Sequence, residues 1–170
     1  MLQVASQNPQ SAASASNFLT GLRDEQLALT ALTDLLRSEQ DALIQGDADR
    51  VAALAAEKEE RIKTLARLSE QRSNRLRSRG LNGGTEGMQV WIQDHPEHAS
   101  LASKTWQQLL AGAEVARQIN QSNGVLIENK LKQNRLKLAV LQTKGALDGV
   151  YGADGRLSLR RSTGSSFIQV

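Results

Sequence analysis

Leu35-Leu36-Arg37-Ser38-Glu39-Gln40-Asp41-Ala42-Leu43-Ile44-Gln45-Gly46-Asp47 contains the end of one helix, a tight connection and the start of another. Upstream of it, leucine recurs every seven residues at Leu22, Leu29, Leu36 and Leu43, with Leu32 at the intervening d position. This spacing predicts a coiled-coil seam on a helix over 17–45. Gly46 suits a left-handed helix cap, and Asp47 can accept from the first free amides of the next helix. So short a connection folds the two helices into an antiparallel hairpin.

The second helix is predicted over 48–78, where Val51, Ala55, Ile62, Leu65 and Leu76 form a stripe that Lys58 and Ser69 interrupt. The expected hairpin core is Leu22, Leu29, Leu36, Leu43, Val51, Ile62 and Leu65. Glu57, Glu59, Glu60, Arg61 and Lys63 lie mostly off the stripe and read as a solvated face. Glycines at 80, 83, 84 and 87 break the helix. Met88, Val90, Trp91 and Ile92 form an apolar island of one or two helical turns that can dock on the hairpin. Pro96 suits the first turn of a third helix, predicted over 96–144, with Asp94 or His95 near its cap. Trp106, Leu109, Leu110, Ala113, Ala116 and Ile119 supply its apolar face. The class is therefore all-α: an antiparallel hairpin plus a long third helix in an elongated, coiled-coil-like bundle. Residues 1–16 are expected to be a flexible extension, 17–144 the helical domain, and 145–170 a flexible Gly/Ser/Arg-rich tail.

Composition agrees with long, thin helical contact. The 170 residues contain only 3% aromatics and no cysteine, which removes disulfides and thiolate chemistry. Met1 to Ser16 has no basic residue and no long apolar run, unlike a secretory signal. No segment approaches the ~20 apolar residues of a membrane span, and a cytoplasmic location is expected. The net charge of +3 is uneven. Residues 1–70 carry 11 acidic and 7 basic groups, whereas residues 115–170 carry 3 and 9, a balance of +6 that could steer an acidic partner.

Candidate chemistry is sparse. His95 and His98 lie beside Asp94 and Glu97 with helical spacing, but a zinc site needs three or four defined ligands, and surface histidines at a helix start explain the pair more simply. The glycine cluster lacks the Lys-Ser/Thr of a phosphate-binding loop. No serine is paired with a histidine and a buried carboxylate, so neither an enzyme nor a cofactor is expected. Arg72, Arg75 and Arg79 share a helix face and could form a nucleic-acid patch. They also end a helix, where the macrodipole favours cations. The leucine heptads leave a structural homodimer open as well.

The third helix is the unusual element. Asn120-Gln121-Ser122-Asn123-Gly124-Val125-Leu126-Ile127-Glu128 is followed by Leu131, Asn134, Leu136, Leu138 and Leu141. Asparagines and a glycine fall where a packed helix would carry leucine, and a buried asparagine without a partner costs a few kcal/mol. Such a helix calls for another protein to complete it. Tyr151, the only tyrosine, follows among glycines.

Together these features resemble the FlgN family of flagellar export chaperones. The resemblance rests on residues 35–47, on Val51, Leu54, Glu57-Lys58-Glu59 and Leu65, and on Ile119 to Glu128 with Asn134. Tyr151-Gly152-Ala153-Asp154-Gly155-Arg156 completes it, and it covers about residues 19–156. It implies an all-helical cytoplasmic chaperone that binds the C-terminal ends of the two hook-filament junction proteins and delivers them to the cytoplasmic domain of the flagellar type III export gate. Cargo contact then falls on Asn120, Asn123, Leu126, Ile127, Asn134, Leu138 and Leu141, and gate docking on Tyr151. Packing of Tyr151 back onto the third helix is the competing role. The extension before Phe18 and the tail from Leu157, with Arg160 and Arg161, depart from the pattern.

Overall fold

A computed structural model of the chain describes residues 9–148, with side chains placed over 13–142. Its elements are α1 (Pro9–Gln45), α2 (Ala48–Arg77), α3 (Thr85–Asp94) and α4 (Ala99–Asp148); no strand occurs among the described residues. The chain divides into two units, one reaching Leu126 and one beginning at Ile127.

In the first unit the hairpin forms as its turn chemistry requires. Gly46 has φ 76°, the left-handed conformation that a Cβ would strain. The Asp47 carboxylate accepts from the Arg50 amide at 3.0 Å and caps α2. Contacts between the two helices converge on this turn: Ser14 meets Arg79, Asn17 meets Arg75, Glu25 meets Arg72, and Glu39 meets Lys58. Each step up α1 is a step down α2, so the pair is antiparallel. The first part of α4 keeps a nearly constant offset from α1, with Gln108 on Gln26, Gly112 beside Leu29, and Asn123 on Leu36 and Glu39. It therefore runs parallel to α1.

Leu22, Leu29, Leu32, Leu36 and Leu43 are all buried, as the heptads require. Leu65 is partly buried against the core and Val51 is half-buried. Ile62 departs from expectation: it is 49% exposed. The inward line of α2 follows Lys58, Leu65 and Arg72, and at ~100° per residue Ile62 stands about 60° away from it. The lysine and arginine that interrupt the apolar stripe are themselves the inward residues. Arg61 with Glu57, and Lys63 with Glu59 and Glu60, form exposed ion pairs on the outer side.

Helix α1 begins at Pro9 rather than near 17, with proline at the first helical position, where its missing N–H is harmless. The Ser/Ala-rich stretch is helical because alanine favours helix and because Ala15 and Phe18 are buried. Phe18 stacks on Trp91 with ring centroids 4.4 Å apart, and Trp91 stacks on His95 at 4.2 Å. Met88 and Trp91 thus dock α3 onto the end of the hairpin, and both are fully buried. Gly87 allows the approach, since a Cβ there would overlap the Asn82 carbonyl. His95 Nδ1 lies 2.8 Å from the Trp91 carbonyl. Pro96 falls in the turn that follows, and α4 starts three residues later than expected, at Ala99.

The centre of this unit is charged. Arg72 Nε donates to Glu25 Oε2 at 2.8 Å, and its other nitrogens reach Glu25 Oε1, Ser69 Oγ and the Gly83 carbonyl. The guanidinium lies 4.7 Å from the Trp106 ring of α4. Both charged groups are buried, so removal of one leaves the other uncompensated. Arg72→Ala is expected to lower the unfolding free energy by about 3–5 kcal/mol. Urea denaturation followed by circular dichroism checks this; a loss well under 1 kcal/mol would contradict it.

Candidate functional site

The residues singled out on α4 divide into inward and outward sets. Asn123 is 1% exposed. Its Nδ2 donates to the Leu36 carbonyl at 2.9 Å and to Glu39 Oε2 at 2.8 Å, while Glu39 Oε1 accepts from Lys58 Nζ at 2.6 Å. The asparagine expected to need another protein is instead bonded within its own chain. It joins α1, α2 and α4 in a second buried polar node. Asn120, by contrast, is exposed, and Leu126 is half-buried. A Cβ on Gly124 would meet nothing within 4 Å, so no close approach requires glycine there.

In the second unit Ile127, Leu131, Asn134, Leu138 and Leu141 follow one another at alternating intervals of four and three, the a and d positions of a heptad. Ile127 is half-buried and Asn134 exposed. Leu131 is 50%, Leu138 57% and Leu141 64% exposed. Lys130, Arg135 and Lys137 flank this stripe, Leu136 and Val140 lie off it, and Glu128 is the single acid between 127 and 142. Leucines at this exposure leave apolar area in water, and a helix bearing its own stripe would cover it.

The arginine alternative reads differently in three dimensions. Arg72, Arg75 and Arg79 do share a face, but that face lies on α1. Arg72 is buried with Glu25, Arg75 donates to the Asn17 carbonyl, and Arg79 donates to Ser14 Oγ. Arg72 is therefore no part of an exposed basic patch. Among the described residues no three His, Cys, Asp or Glu side chains come together as metal ligands, and no described helix is long and apolar enough to cross a membrane. Tyr151 lies outside the described residues.

Comparison with known proteins adds one match. The model of the FlgN protein family aligns with residues 14–158 of the 170. The chain belongs to the FlgN family. FlgN proteins are chaperones of flagellum assembly, and the matched span includes α2, α3, α4 and nearly all of α1. No curated protein and no solved structure matches the chain.

Sequence reasoning passed over Glu25, Glu39, Lys58 and Arg72 as structural residues. A signal was present: Glu25 and Glu39 occupy d positions of the α1 heptad two heptads apart, and Lys58 and Arg72 have the same separation on α2. Because Asn123 serves the inner node, Asn123→Ala is expected to lower stability by about 1–3 kcal/mol. The readout is the urea midpoint, and a midpoint equal to the parent's would remove Asn123 from the core.

Proposed function

We propose that this FlgN-family chain is an export chaperone that holds the C-terminal helical ends of flagellar hook-filament junction proteins on the second unit of α4. The observation that carries the reading is the stripe Ile127, Leu131, Leu138 and Leu141, heptad-spaced and largely exposed. A junction-protein terminus that forms a helix exposes an apolar stripe of its own before assembly. Two such stripes bury each other as in a coiled coil, and ~25 cal/mol per Å² of apolar surface favours the pair. Asn134 interrupts the surface with a polar group, which keeps the free chaperone from self-association and the complex releasable. The chaperone then delivers its cargo in the cytoplasm to the cytoplasmic domain of the flagellar type III export gate, with Tyr151 as the docking aromatic. Tyrosine suits that role because its ring fills a pocket while its hydroxyl keeps a hydrogen bond.

Leu138→Asp with Leu141→Asp tests the cargo surface without touching the buried set. Isothermal titration with the C-terminal region of a junction protein should show affinity reduced at least about 100-fold, because two leucines leave the interface and two charges enter it. Unchanged affinity would overturn the assignment. Helicity by circular dichroism should match the parent.

Tyr151→Ala should leave cargo affinity and thermal stability unchanged while reducing capture by the export-gate domain and secretion of junction proteins. Normal secretion, or early melting, would return Tyr151 to a structural role.

A further inference from the structure

We infer that the α4 stripe selects its partner by charge: the helix it takes carries acidic residues beside its own apolar seam and a hydrogen-bonding side chain opposite Asn134. With Leu131 and Leu138 at a, and Ile127, Asn134 and Leu141 at d, the flanking positions follow. Lys130 and Lys137 occupy g, and Glu128 and Arg135 occupy e. Lys132 adds a fourth cation at b. None of the four cations pairs with a described carboxylate, whereas Arg37, Arg61, Lys63, Arg77 and Arg117 elsewhere do so on their own helices. Arg135 and Lys137 are exposed and Lys130 is half-buried.

This arrangement disfavours a second copy of the chain as the occupant. In a parallel pair, g of one helix faces e of the other, so Lys130 would meet Arg135. In an antiparallel pair g faces g, and the lysines would meet each other. Like charges at these positions destabilise a coiled coil, and opposite charges set partner choice. Glutamate or aspartate at e and g of the incoming helix would pair with Lys130, Arg135 and Lys137. Asn134 adds a second criterion. In a d layer its amide needs a polar partner, and a leucine opposite would bury it unsatisfied. The stripe therefore rejects a purely apolar or basic helix and accepts an acidic one with a polar d-layer residue.

This rests on the reading that the stripe is the partner surface, and its test is separable from that reading. Two synthetic three-heptad helices share leucine at a and d, with one asparagine placed to meet Asn134; one carries glutamate at e and g, the other lysine. Each is titrated by fluorescence anisotropy into the full chain and into the variant Lys130→Glu, Arg135→Glu, Lys137→Glu. The parent should prefer the glutamate helix by about tenfold or more at low ionic strength, with the preference shrinking as salt screens the exposed pairs. The triple variant should prefer the lysine helix. Equal binding of both helices to the parent overturns the inference, as does a parent dimer in sedimentation that Leu138→Asp with Leu141→Asp dissociates. If a junction-protein terminus binds through Leu138 and Leu141 with affinity indifferent to the triple charge reversal, charge selection fails and the cargo reading stands. If that terminus does not bind but the two synthetic helices invert their preference, selection stands and the cargo reading fails.

Discussion

A guanidinium taken out of water must find a carboxylate, and the first unit of this protein is arranged around that requirement. Arg72 meets Glu25 through two nitrogens, holds the Gly83 carbonyl of the α2–α3 connection, and lies against the Trp106 ring. One side chain of α2 thus touches α1, the glycine-rich loop and α4. Two heptads nearer the turn, Lys58, Glu39 and Asn123 repeat the device with one residue from each long helix. Desolvated charges tolerate misplacement poorly. A slip of α2 by one heptad away from the turn would set Glu25 opposite Leu65 and Glu39 opposite Val51. The two pairs together admit one antiparallel register, a discrimination that leucine against leucine could not supply.

The polar residues of α4 divide by the partners they find. Asn123, Asn120 and Asn134 look alike in the sequence, and each interrupts an apolar period. Asn123 finds its partners in Leu36 and Glu39 and is structural. Asn134 stands in an exposed stripe whose leucines are half or more open to water. The buried line of the first part, Ala102, Leu109, Ala116 and Asn123, recurs every seven residues and would continue to Lys130 and Lys137, whereas the apolar stripe of the second unit stands on other positions of the helix. The first part has Ala102, Trp106, Leu109 and Ala116 covered by the chain itself. Leu131, Leu138 and Leu141 are apolar side chains left exposed. The cargo surface proposed above draws on this stripe because a recognition surface must be apolar and accessible at once.

The helical class, the hairpin and its turn were legible from a handful of residues. Leucines every seven positions impose one apolar face, Gly46 is the residue that reaches φ 76° without strain, and Asp47 is the capping side chain beside it. Docking of the Met88–Ile92 island was legible too, because a short helix with two large apolar side chains has little else to bury them. Local and near-periodic signals of this kind depend on backbone geometry and on the chain's own neighbours, so they survive without knowledge of what lies across the interface.

Pairing across helices is a different kind of information. Periodicity marked Ile62 as core and Lys58 as an interruption, yet the inward line of α2 passes through Lys58 and Arg72 because Glu39 and Glu25 wait opposite them. A serine- and alanine-rich stretch gave little sign of helix, yet α1 extends back to Pro9 once Phe18 has Trp91 to stack on. The amino-acid order by itself determined the helical class, the turn and the apolar face of α1, since these follow from dihedral preferences and a period of 3.6 residues. Only the tertiary structure decided which polar residues are buried and which leucines are left bare. Burial of a charge or an amide depends on a partner tens of residues distant, and it becomes favourable only when packing brings the two within hydrogen-bond reach.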